Sequence, residues 1–129
     1  MKYISFTVEG NPVPKGRPRT AVRGGKAIVY TPSNTVKYEQ YVKLVASQHK
    51  PKEILTGAID LSLDIYIKRP KSLPKKVEHN IKKPDVDNIA KLIMDALEGV
   101  IYERDAQVIS LLVTKQYGEP RVEVGVYEV

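Results

Sequence analysis

The stretch KKPDVDNIAKLIMDALEGVIYERDAQ, Lys82 to Gln107, decides how the rest of the chain is read. Within it Ile89, Leu92, Ile93, Ala96, Leu97 and Val100 recur at i, i+3, i+4, i+7, i+8 and i+11, the spacing of one face of an α-helix. Pro84 biases Lys83 to an extended shape, an aspartate follows where it can cap the helix, and Gly99 is a natural stop. Asp87, Lys91, Asp95 and Glu98 fall opposite the apolar stripe, so the charged face looks away from the core. Two carboxylates, Asp85 and Asp87, sit one residue apart at the helix start. A third, Asp105, comes where the chain leaves the helix for a strand. Carboxylates gathered from two ends of one element suit a hard cation such as Mg²⁺. The same residues admit a plainer account, since an aspartate at a helix start caps and suits the dipole, and Asp87 with Lys91 is an ordinary i, i+4 pair. Two features favour the metal. One carboxylate suffices for capping where two occur, and the surroundings are strongly basic.

The 129 residues fit one domain, 1–129, large enough for a core without staples. Without cysteine there are no disulfides or thiolate metal sites, and two histidines give zinc little support. A cytoplasmic setting fits this composition. The start, with Glu9 and Pro12, does not read as a signal peptide, and no apolar run is long enough to span a membrane. The net charge of +6 is unevenly placed: residues 1–52 hold ten Lys/Arg against two Asp/Glu, residues 53–129 eleven against thirteen. A basic half implies an anionic partner, most often nucleic acid, against the alternative of a surface charged only for solubility.

Lys2 to Gly10 alternates as a strand. The following Asn11 to Thr20 carries three prolines and cannot be helix. Lys15, Arg17, Arg19, Arg23 and Lys26 decorate this loop. On an extended backbone 15, 17 and 19 would point the same way as a phosphate comb, with Gly16 as a permissive joint. Ala27 to Tyr30 is expected to close a hairpin around Gly24-Gly25. Thr31-Pro32-Ser33-Asn34 starts a first helix, with Tyr38, Tyr41, Val42 and Val45 on one face and Leu44 beside it. His49 near its end reads as structural. Ala58 to Ile67 is the clearest strand; Asp60 and Asp64 on its polar face are rival metal ligands, better explained as solvated. Lys68 to Lys83 is a second basic loop, with seven Lys/Arg and one Glu, and it delivers Lys82 and Lys83 directly to Asp85. Val108 to Lys115 reads as a buried strand, and Arg121 to Val129 as a last strand. The expected fold is α/β (α+β): a mixed sheet with two main helices, in the order strand, basic loop, helix, strand, basic loop, helix, strand, strand. Phosphate-loop and dinucleotide glycine patterns are absent.

Asp85-x-Asp87-Asn88-x-x-Lys91, Asp95-Ala96-Leu97 and Asp105-Ala106-Gln107-Val108 resemble the RusA family of Holliday-junction resolvases, phage and prophage members especially. Pro14-Lys15-Gly16-Arg17-Pro18-Arg19 is similar to the phage-type version. The resemblance implies a small dimerising α/β domain that cuts four-way DNA junctions with Mg²⁺ or Mn²⁺, in recombination and repair. It implies Asp85, Asp87 and Asp105 as catalytic, metal-holding carboxylates and Lys91 as the catalytic lysine. Where many members have an acidic residue before the last aspartate, this chain has Arg104. The chemistry agrees, because phosphodiester hydrolysis needs an activated water, charge neutralisation at phosphorus and help for the leaving oxygen, all within reach of a divalent metal. Two rivals stand beside this reading: a non-catalytic nucleic-acid-binding protein whose aspartates only cap, and a nuclease acting on other branched DNA or on RNA.

Overall fold

A computed structural model describes residues 2–129. The elements are β1 (Lys2–Glu9), β2 (Arg19–Arg23), β3 (Lys26–Tyr30), α1 (Ser33–Ser47), β4 (Ile59–Ile67), α2 (Val86–Leu97), a 3₁₀ turn (Asp105–Gln107), β5 (Val108–Tyr117) and β6 (Arg121–Glu128). Four strands form one mixed sheet in the order β1-β6-β4-β5. β6 runs antiparallel to both its neighbours, and β5 alone is parallel to its own, β4. A parallel pair needs a crossover, and α2 supplies it. The expected small α+β domain with two helices and a mixed sheet is the fold observed.

Alternation decides which face is covered. Ile59, Leu61, Leu63 and Ile65 of β4, Phe6 and Val8 of β1, and Val122, Val124 and Val126 of β6 are buried under the helices. The opposite sheet face carries Ser62, Asp64 and Glu123. All five stripe positions of α2 from Ile89 to Leu97 are fully buried, and Val100 is half-buried against them. Burying such a side chain stabilises the fold by about 1.5–3 kcal/mol before entropic costs. Asp60 is exposed, and the Asp64 carboxylate accepts a 2.6 Å hydrogen bond from the Thr114 hydroxyl. His49 stacks on Phe6 at 5.4 Å, the structural role expected of it.

Three expectations need correction. The buried face of α1 is Thr35, Tyr38, Val42 and Ala46, while Tyr41 and Leu44 are exposed. Tyr41 instead sends its hydroxyl to the Glu9 carbonyl, 2.9 Å away. Gly16 is not a joint with unusual backbone angles. Its need for glycine is spatial, because a Cβ there would lie 2.9 Å from Thr35 Oγ1 and 3.0 Å from Pro32 Cγ. Finally, β5 is not buried. It is the sheet's outer edge, with Ile109, Leu111 and Leu112 at 67, 44 and 63 % exposure. An apolar run reads as buried when strands flank it on both sides, but β5 has a neighbour only at β4.

Candidate functional site

The amino-terminal basic loop does not hang free. The Lys15 backbone N–H donates to the Asn88 carbonyl in the first turn of α2, at 2.9 Å. The Gly16 N–H donates to the buried Thr35 hydroxyl of α1, at 3.0 Å, and that hydroxyl in turn donates to the Pro14 carbonyl. Proline-stiffened backbone is thereby laid across the ends of both helices. The Lys15 ammonium, expected to face phosphate, is held between Glu39 at 3.0 Å and Asp95 at 3.2 Å. Its hydrogen bond to Glu39 raises its pKa above the usual lysine value, with burial pulling the other way and Asp95 adding to the rise.

On the other side the second basic loop is tied to the sheet. Lys115, the one cation in an otherwise uncharged β5, donates to the carbonyls of Lys82 and Pro84, at 2.6 and 3.0 Å. Arg69 turns back into its own loop, donating to the carbonyls of Val77 and Pro74 and lying 5.3 Å from the Tyr117 ring. Between the two loops opens a cleft of about 710 Å³, lined by Pro14, Lys15, Arg17, Lys83, Asp85 and Asn88 among others.

Asp85 occupies the N-cap position of α2 yet makes no capping hydrogen bond. The plainer account of this residue therefore has no bond to rest on. Asp87 lies exposed in the first helical turn. Lys91, four residues on, pairs with Asp95 at 3.2 Å rather than with Asp87, and is 60 % exposed. Arg17 and Lys83 are exposed at the cleft; Arg19 begins the β2–β3 hairpin, and Arg23 and Lys26 flank its Gly24-Gly25 tip. Every residue of that hairpin except Ala21 is exposed. Lys82 is exposed beside the cleft, its carbonyl committed to Lys115.

Asp105 stands elsewhere. Its N–H donates to Glu98 Oε2 at 2.9 Å, which places it at the carboxyl-terminal end of α2. Eleven residues separate Asp87 from Glu98, roughly 16 Å at the helical rise. Asp85 and Asp87 stand at the amino-terminal end of α2 and Asp105 at the other end; among the described residues, no three His, Cys, Asp or Glu side chains gather to hold a metal. The turn presenting Asp105 is firmly built. The Gln107 amide donates to the carbonyls of Leu55 and Gly57, both at 2.9 Å, and its oxygen accepts from the Arg104 N–H at 2.7 Å.

Two carboxylates at the positive end of a helix, Asp85 of them lining the cleft with Arg17 and Lys83, suit Mg²⁺, which commonly takes one or two carboxylates, several waters and substrate phosphate oxygens. Lys115 anchors the segment entering Asp85, a role sequence reasoning passed over although a single lysine in an apolar strand was its signal. Gln107 belongs to the motif around Asp105, but its anchoring of that turn lay in a tertiary reach of fifty residues.

A family model described as Endodeoxyribonuclease RusA matches residues 9–127 of the chain. A curated relative from Bacillus subtilis (strain 168), carrying the name Uncharacterized protein YqaN, is 46 % identical, with the match covering all of this chain and 99 % of the relative. No helix among the described residues is long and apolar enough to cross a membrane.

Proposed function

The chain belongs to the RusA endodeoxyribonuclease family, and from that membership we propose a divalent-metal-dependent resolvase that hydrolyses paired phosphodiesters in four-way DNA junctions, acting as a homodimer in recombination or repair. The observation that carries this reading is the cleft in which uncommitted Asp85 adjoins Arg17 and Lys83. A purely DNA-binding surface has no use for carboxylates facing phosphate, because like charges repel.

In this reading Asp85 and Asp87 would hold Mg²⁺ or Mn²⁺, whose chemistry is to lower the pKa of a bound water and neutralise charge on the phosphate. Arg17 and Lys83 seat the scissile phosphate and its neighbour, Arg by its fork and Lys as a point charge. Lys91 stabilises charge developing on the phosphoryl oxygens once it exchanges Asp95 for phosphate. Asp105, which the resemblance counts among the catalytic carboxylates, stands at the far end of α2 and takes no part in this cleft within one chain. Arg19, Arg23, Lys26 and Lys82 carry the flanking duplex arms, with Lys15 holding the loop that bears Arg17 and Arg19.

The experiment is cutting of a labelled four-way junction against a linear duplex of the same sequence, with Mg²⁺, with Mn²⁺ and with chelator. Paired symmetric nicks on the junction, abolished by chelator, are expected. Equal cutting of linear duplex, or cutting that survives chelation, would overturn the reading.

A further inference from the structure

The β2–β3 hairpin carries a feature that contacts to phosphate do not use. Its register sets Arg19 opposite Tyr30, Ala21 opposite Ile28 and Arg23 opposite Lys26, so these share one face of the ribbon. Thr20, Val22, Ala27 and Val29 take the other. Gly24 and Gly25, with φ of 57° and 76°, form the tight turn that fixes this register. On the first face Ala21, Arg23, Ile28 and Tyr30 line a groove of about 380 Å³. Ala21, the one half-buried residue of the hairpin, is small and leaves the space that Ile28 and Tyr30 border. Those two are 42 and 45 % exposed.

The charge around the groove decides the class of occupant. From Gly10 to Tyr38 the chain has six cations and no carboxylate, so an anionic partner is drawn there. Phosphate oxygens account for Arg19, Arg23 and Lys26, but not for an isoleucine and a tyrosine set among them. Paired base edges do not account for them either, because reading an edge takes donors and acceptors. An apolar slot with an aromatic ring and a guanidinium at its walls suits the flat face of a nucleobase that has left its stack. The groove also stands close to the cleft. Arg17 lines the cleft, and Arg19, which pairs with Tyr30 at the foot of the ribbon, is two residues on, at most about 7 Å of chain.

We propose that this groove takes an unstacked base at the branch point, so that the hairpin tells branched DNA from a continuous duplex. Tyr30 supplies the stacking face, Ala21 and Ile28 the apolar wall, and Arg23 the cation against the base. A continuous duplex offers no free base face and leaves Ile28 and Tyr30 in water. The placement at a branch rests on the function proposed above; the affinity for an unstacked base does not.

The test is binding in chelator, which requires no cutting. The DNAs are a four-way junction, a duplex with one unpaired base and a fully paired duplex. The proteins are wild type, Tyr30→Ala, Tyr30→Phe and, on the opposite face, Val29→Thr. Tyr30→Ala should lose about tenfold or more in affinity for the junction and for the unpaired base, the contribution of one stacked base. Its affinity for paired duplex and its salt dependence should not change, since no phosphate contact is lost. Tyr30→Phe and Val29→Thr should bind as wild type does. With 5-iodouracil at the branch point, light should cross-link the DNA to Tyr30, and the same base inside an arm should give no cross-link.

An equal loss on all three DNAs, no loss on any, or a matching loss in Val29→Thr would overturn the assignment. Sedimentation of Tyr30→Ala as a smaller assembly than wild type would give the groove to a second copy and overturn it as well. If wild type cuts no junction while these preferences hold, the proposed function falls and the groove stands. Junction-specific cutting that Tyr30→Ala keeps in full removes the groove and leaves the function.

Discussion

Asp87 tests the centre most directly. Asp87→Asn keeps the shape and removes one negative charge, so junction cutting should fall by a factor on the order of 10²–10⁴, the worth of one main electrostatic contribution. Junction binding without metal should persist or tighten. If Asp87 merely supported the helix, the outcome would be unchanged cutting and a melting change within about 1 kcal/mol. Melting curves and Mg²⁺-dependent cleavage on the same preparation separate the two. Gly16→Ala should cost about 1–3 kcal/mol, because the new Cβ meets Thr35 and Pro32 and forces the loop off the helices. Thr35→Ser, which keeps the hydroxyl, should restore little of it while Pro32 still obstructs. Lys15 predicts a pH effect with a definite sign. A raised folded pKa gives stability that is complete below the unfolded value of 10.5 and fades as pH climbs through the folded one. Wild type should therefore lose more stability than Lys15→Met as alkaline melts pass that value; parallel curves would show that the ion pairs with Glu39 and Asp95 do not hold the loop.

At the scale of elements, the loop and hairpin share the cations unequally. Lys15 already has two carboxylates at hydrogen-bond distance, so it releases no counterion when DNA arrives. Neutralising Arg17 and Arg19 should flatten the salt dependence of junction binding by about two units of slope, at roughly 0.9 per phosphate contact, and adding Lys15→Met should change the slope little. A full third unit would mean that Lys15 abandons its partners on binding. What the sequence displayed at this scale was uneven. The α2 stripe, the β4 alternation and the Gly24-Gly25 hairpin were all readable, because local periodicity and turn chemistry determine them. The exposure of β5 was not, since an apolar strand looks the same in the middle of a sheet as at an edge. The neighbourhood of Asp85, Asp87 and Lys83 was readable because the residues are adjacent in the chain. The distance to Asp105 was not, because it depends on α2 running back along β5 rather than folding its ends together.

For the whole molecule, the core closes without help from the site. Tyr102, Leu55, Ile101 and the α2 stripe are sealed under the sheet, while Asp85 and Asp87 lie outside. Chelation should therefore abolish cutting and leave the melting temperature within about 1–2 °C of its starting value, since a metal stabilises a fold only as far as it binds the folded state more tightly than the unfolded. A fall of many degrees would reveal a metal inside the structure. Lys115→Met should act between these limits. It leaves the core untouched but frees the carbonyls of Lys82 and Pro84, so cutting should drop about tenfold or more as the segment entering Asp85 loosens, while most stability remains.

The β2–β3 hairpin has one further consequence, visible to a protease. Its ten residues pair only with each other, and Arg19, Arg23 and Lys26 stand on it in the open. A two-stranded ribbon with no packing beneath it opens easily. Trypsin should clip the native chain there first, leaving two fragments that stay together and melt as the intact protein does, since no buried residue belongs to the ribbon. A four-way junction lying over those arginines should slow the clip, which turns a digestion time course into a footprint of the DNA read from the protein side.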